Sequence, residues 1–138
     1  MENDRLFIFN INHLQNQKEV FEWTSRWLFN KNIISNSSRI LSQLTERENA
    51  GSTQISNNMV MPHIIVKEIK HSIIMILRFN TSIKWNNTLD ISHAIFIITP
   101  NVEDKLIKCV ISSVSKYDMD KIIDTLNDNE LKNFILKG

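Results

Sequence analysis

Two stretches of strand length, residues 72–79 (Ser-Ile-Ile-Met-Ile-Leu-Arg-Phe) and residues 91–98 (Ile-Ser-His-Ala-Ile-Phe-Ile-Ile), are apolar on both faces. A strand with one face in water alternates apolar and polar residues, whereas a strand covered on both sides loses that alternation. The pair therefore predicts a central sheet with something packed on each side of it. Candidate helices stand before and after. From Gln15 to Asn30 the apolar residues Val20, Trp23, Trp27 and Leu28 recur at helical spacing, and Asn30 and Asn32 mark a stop. Ser35 or Asn36 is a good N-cap for a second helix that carries Ile40, Leu41 and Leu44 inward. That helix runs out near Glu48, and Gly51 stands where a helix terminator belongs.

Residues 6–11 suit a short strand or an extended arm, and residues 55–61 suit a short strand ending at Pro62. Thr99-Pro100-Asn101 closes the second apolar run and offers Asn101 as the next N-cap. The following helix places Val102, Leu106, Cys109, Val110 and Ser113 on one stripe. Asp118 then caps a short helix with Ile122, Ile123 and Leu126. Asn127 and Glu130, three apart, form the capping box of a last helix that turns Leu131, Phe134 and Ile135 inward. No repeat, low-complexity tract or Pro/Gly-rich linker interrupts the order. Residues 1–138 are predicted to form a single α/β domain, a mixed β-sheet with helices packed on both faces.

Composition narrows the chemistry. A chain of 138 residues buries about two-thirds of its unfolded surface and needs no disulfide or metal to hold a core. Its single cysteine excludes a disulfide framework and a multi-thiolate zinc site. Its two glycines exclude the Gly-rich phosphate cradles. Sixteen Lys and Arg against fifteen Asp and Glu leave a formal charge of +1, too little field to draw nucleic acid or an acidic membrane. The N-terminal residues lack the pattern of a signal peptide. The longest apolar runs fall far short of the roughly 20 residues that span a bilayer. A cytoplasmic protein without membrane insertion, direct nucleic-acid contact, cofactor or metal is the expectation.

Of the four histidines, His13 suits a solvated position, His71 an exposed edge, and His93 a hydrogen-bonded structural role. No two have the i, i+4 spacing of a zinc site. Cys109 lies mid-helix on an apolar stripe and belongs to the core. His63 differs, because it follows Pro62 as the chain leaves a strand, and strand ends are where open α/β sheets place their ligands. An imidazole is largely neutral and nucleophilic near neutral pH, and covalent histidine catalysis is an established role.

Arg47-Glu48-Asn49-Ala50-Gly51-Ser52-Thr53, followed by Met59-Val60-Met61-Pro62-His63, resembles the enzyme IIA domains of the bacterial phosphoenolpyruvate-dependent sugar phosphotransferase system, of the fructose/mannitol/nitrogen-regulatory type. Ile83-Lys84-Trp85 is similar to that family's Pro-Ile-x-Trp after the second strand, and the order of later elements agrees over roughly residues 6–136. The resemblance implies a phosphocarrier in which His63 accepts a phosphoryl group from HPr on Nε2 and donates it to a cysteine of a IIB partner. It assigns Arg47 as a forked cation for the phosphoryl oxygens, with Ser52 or, chiefly, Thr53 adding a hydroxyl. It also admits an alternative, a regulatory IIA-like domain of a sugar-responsive transcriptional activator or antiterminator with His63 as a phosphorylation switch. Two departures stand out. Gln54, Ser56 and Asn58 occupy positions where the family usually has glycine, and Lys105-Leu106 stands where it usually has a second histidine followed by leucine. Lys105 would then hold phosphate as an ammonium in place of an imidazole.

Overall fold

The two apolar runs become the two long central strands of one sheet. In the computed structural model, which describes residues 2–101 and 104–137, a 3-10 turn (Glu2–Arg5) leads into β1 (Leu6–Ile11), then α1 (Gln17–Asn30) and α2 (Ser37–Ala50). Three short strands follow, β2 (Gln54–Ser56), β3 (Met59–Val60) and β4 (His63–Ile65). The long strands β5 (Ile73–Asn86) and β6 (Leu89–Thr99) come next, and α3 (Lys105–Lys116), α4 (Met119–Thr125) and α5 (Asp128–Lys137) close the chain. The sheet runs β1-β5-β6-β3-β2, with β4 also paired to β6. It is mixed: β1 is parallel to β5, β3 and β4 are parallel to β6, and β5–β6 and β2–β3 are antiparallel.

Alternation along β5 and β6 sends side chains into two separate cores. Ile73, Met75, Leu77, Phe96 and Ile98 meet Val20, Phe21, Leu28, Ile40 and Leu44 from α1 and α2. Ile74, Ile76, Ile95 and Ile97 meet Leu106, Val110, Ile123, Leu131 and Ile135 from α3, α4 and α5. Both sets are almost fully buried, which is why neither strand shows a polar face in the sequence. The α/β class with helices on both faces is thus the observed one. Trp23 and Trp27 pack edge-on against Phe7 and Phe9 of β1, with ring centroids 4.9–5.1 Å apart, so the first strand is held by aromatic contacts as well as by its ladder.

The local stop and start signals act at most of the predicted places. Asn36 caps α2 by accepting from the Arg39 amide, and Asp118 caps α4 through Lys121. Asn127 and Glu130 exchange two 2.9 Å hydrogen bonds, a complete capping box. Other expectations need correction. Residues 55–61 are not one strand: Asn57 and Asn58 turn the chain between β2 and β3, and Ser56 Oγ accepts from the Asn58 amide to hold that turn. His63 opens β4 rather than following a strand's end, because β3 and β4 both lie along β6 with Met61-Pro62 interrupting them. Ile83-Lys84-Trp85 belongs to β5 itself, after a register shift between Arg78 and Ile83. Gly51 does terminate α2 as expected, and it does so in extended backbone (φ 164°). Asn101 does not cap α3; Asp104 does, accepting from the Ile107 amide at 3.0 Å. Val102 lies outside the described residues.

Asp104 carries a second bond, 3.0 Å from Arg5 Nη1, and the same guanidinium nitrogen reaches Ser72 O. Partial burial pushes the Asp104 carboxyl up, but the Ile107 amide, Arg5 and Ser72 outweigh it and hold it below its ordinary value. A depressed carboxylate contributes stability that is present above its unfolded value and is lost as pH falls through its folded one. Asp104→Asn keeps a competent cap but loses the charge. Its melting temperature is expected below wild type at pH 7, and the gap should close below about pH 4 in paired thermal melts.

Candidate functional site

His63 is placed by three constraints. Pro62 fixes the backbone just before it, and the Ile97 amide donates to Pro62 O at 2.9 Å. Register then sets His63 beside Ile97 and Ile64 beside Ile98. Ile64 is buried in the core beneath α1 and α2, whereas His63 beside it at the sheet edge is exposed. The edge of β4 is held by α2, since Gln43 Nε2 donates to Ile65 O at 2.7 Å. A shallow cleft of about 370 Å³ results, lined by Gln43, Glu46, Arg47, His63, Ile64 and Ile65.

The cleft brings together two of the residues singled out by sequence and leaves three elsewhere. Arg47, in the last turn of α2, shares it with His63; its Nη1 donates to Gly51 O at 2.9 Å. Among the described residues it makes no ion pair with Glu46 or Glu48, so one donor of the five-donor fork is spent on a neutral carbonyl. Thr53 is buried outside the cleft, and its hydroxyl donates to Glu48 Oε1 at 2.7 Å while its carbonyl accepts from the Met61 amide. That pair ties the end of α2 to the strand leading toward His63. Ser52 is exposed, and its hydroxyl accepts from the Gln54 amide. Lys105 is exposed in the first turn of α3 and does not line the cleft. Cys109 is buried, and among the described residues no group of three His, Cys, Asp or Glu side chains is arranged to hold a metal ion.

Gln43 and Glu46 line the cleft although inspection of the motif did not find them. A signal exists: Gln43 precedes Arg47 by four residues, so both sit on one face of α2. Glu46, three residues after Gln43, lies on that face too.

An α/β domain whose edge strand opens on an exposed histidine, with an arginine in the same cleft, is the class that fold and site together define. The family model described as "Phosphoenolpyruvate-dependent sugar phosphotransferase system, EIIA 2" matches residues 3–137, and the chain belongs to that family. Among solved structures it is similar to the nitrogen regulatory protein IIA-Ntr of Neisseria meningitidis (TM-score 0.76, 14% identity, 96% of this chain and 97% of that one). It is also similar to the mannitol-specific cryptic phosphotransferase enzyme IIA CmtB of Escherichia coli (TM-score 0.69, 15% identity, 99% of each chain). A third likeness is to a complex of enzyme IIAMTL and phosphorylated enzyme IIBMTL from Escherichia coli (TM-score 0.66, 10% identity, 98% of this chain and 96% of that one). At these identities the likeness is one of fold. A search of curated proteins finds no match. No helix among the described residues is long and apolar enough to cross a membrane.

Proposed function

We propose that the chain is a cytoplasmic histidine phosphocarrier of the sugar phosphotransferase system, taking a phosphoryl group from HPr on His63 and passing it to a IIB cysteine. In the first step the His63 Nε2 lone pair attacks phosphorus, and the bond to the donor breaks with its electron pair leaving on HPr. In the second, the IIB cysteine sulfur attacks phosphorus and the P–Nε2 bond breaks, returning the pair to His63. Such transfers ask a protein mainly for positioning and charge stabilisation. The observation that carries the reading is the exposed His63 in one cleft with Arg47. An open cleft admits a partner protein, and Arg47 places a planar cation where the phosphoryl oxygens would gather. The likeness to an enzyme IIA solved with a phosphorylated IIB supports the choice of partner.

The deciding experiment incubates the protein with phosphoenolpyruvate, enzyme I and HPr and locates the phosphate by mass spectrometry of fragments. Label on His63 that discharges quickly onto a IIB domain is the expected result; no label at His63 would sink the reading. Label that persists with every IIB tested favours the regulatory alternative, a phosphorylation switch in a transcriptional activator or antiterminator. The exposed Lys105, standing outside the cleft, is the observation on that side. Arg47→Ala should slow labelling by about 10- to 100-fold, with Arg47→Lys recovering part of it, in quenched-flow assays at fixed HPr.

A further inference from the structure

Opposite the turn between β2 and β3, β6 buries a histidine that the transfer chemistry does not use. His93 is 2% exposed, and each of its ring nitrogens meets a carboxylate oxygen of α4 at 2.7 Å, Nδ1 with Asp120 Oδ1 and Nε2 with Asp124 Oδ1. Both ring nitrogens are thereby engaged by side chains of α4. The neighbouring cation does not compete for these carboxylates. Arg78, paired with His93 across the β5–β6 ladder, donates to Leu126 O and Asp128 Oδ1. Asp120 and Asp124 are left facing His93, and the imidazole joins α4 to the middle of the sheet at a point where an unpartnered ring would be costly.

The same cluster reaches the segment that carries His63. Ser56 Oγ donates to the other oxygen of Asp120 and accepts from the Asn58 amide, while Gln54 Nε2 donates to Ser56 O. Asn58 O in turn accepts from the Ser92 and His93 amides at 2.8 and 3.2 Å. Gln54, Ser56 and Asn58 are the three residues that stand where glycine is usual, and all three are engaged in this network. Immediately past β3, Met61 N donates to Thr53 O at 2.8 Å, and then come Pro62 and His63.

We propose that His93 is a positioning residue: clasped between Asp120 and Asp124, it fastens α4 to the sheet and, through Ser56, fixes the β2–β3 hairpin that sets where His63 emerges. The inference rests on His63 being the phosphoryl acceptor. Phosphoryl transfer tolerates little misplacement of its nucleophile, so a hairpin held from behind by side chains supplies rigidity that its short strands lack. The clasp is bound to act on rate more than on donor affinity, because none of its members lines the cleft.

The test uses the full chain with Ser56→Ala, which cuts the side-chain link from clasp to hairpin but leaves His93 and its two aspartates in place, and with His93→Gln, which removes the clasp. Expected for Ser56→Ala are amide exchange at Met61 faster by about tenfold and displaced ¹⁵N signals of the His63 ring. Its maximal phosphorylation rate should fall by about three- to tenfold at unchanged KM for phosphorylated HPr, with Ser56→Thr restoring all three readouts. Wild-type exchange and His63 signals in Ser56→Ala would overturn the proposal, and that variant decides the matter even if His93→Gln does not fold. Should wild type take no phosphate at all, the phosphocarrier reading falls, while exchange and ring signals still judge the clasp.

Discussion

Replacing His63 by alanine is expected to abolish phosphate labelling while leaving the melting temperature within about 2 °C of wild type. The first half follows from the cleft's inventory. Besides His63 it is lined by Gln43, Arg47, Ile64 and Ile65, which offer no nucleophile, and by Glu46, whose carboxylate repels a phosphoryl anion. The second half follows from exposure. The His63 ring stands outside both cores, and the backbone of β4 is held by the Pro62 carbonyl, the β6 ladder and Gln43. A surface substitution of that kind changes stability by no more than about 0.5 kcal/mol. Label retained in the variant would place the acceptor elsewhere. A large drop in melting temperature would show that the ring supports the fold.

The opposite pattern is expected for Phe96→Ala, with phosphate acceptance retained below the transition and stability sharply reduced. Phe96 is fully buried in β6 opposite Met75, with its ring centroid 6.1 Å from that of Phe21 at 79°. Truncation removes the transfer free energy of the ring and leaves a cavity in the core that joins α1 to the sheet, a loss of about 3–5 kcal/mol. Against a typical total of 5–15 kcal/mol this is a large share. For a domain of this size it lowers the melting temperature by roughly 10–15 °C. Urea titration should show a reduced midpoint with an unchanged slope, since the surface exposed on unfolding is nearly the same. A change under about 1 kcal/mol would mean that Phe21 and its neighbours collapse into the space. The two variants separate the molecule's chemistry from its stability, one acting at an exposed edge and the other at the centre of the sheet.

Much of this architecture was legible residue by residue. The loss of alternation in β5 and β6 announced a sheet covered on both faces, and Asn36, Asp118 and the Asn127–Glu130 pair announced where helices begin. His63 was singled out by Pro62 and by the motif around it. Less legible was the approach to His63. Residues 55–61 carry the apolar content of one strand, but Asn57-Asn58 break them into β2 and β3, of which β3 lies along β6 and β2 pairs back onto β3. The cap of α3 passed from Asn101 to Asp104 because Asp104 also meets Arg5, 99 residues away in sequence. Thr53 sits among motif residues, yet its hydroxyl is turned inward to Glu48, which the motif's spacing does not encode.

The sequence by itself therefore determined those features whose causes span a few residues: strand burial, helix starts, the exclusion of Gly-rich phosphate cradles, and the histidine beside a proline. The tertiary structure decided which distant groups share a space. It set Arg47 with His63 and kept Thr53 and Lys105 out of that cleft. It also placed His93 between two carboxylates 27 and 31 residues further on. Periodicity and capping are local, because they follow from the backbone geometry of neighbouring residues. Strand order and register are not, because they are chosen by the burial of both faces of the whole sheet at once.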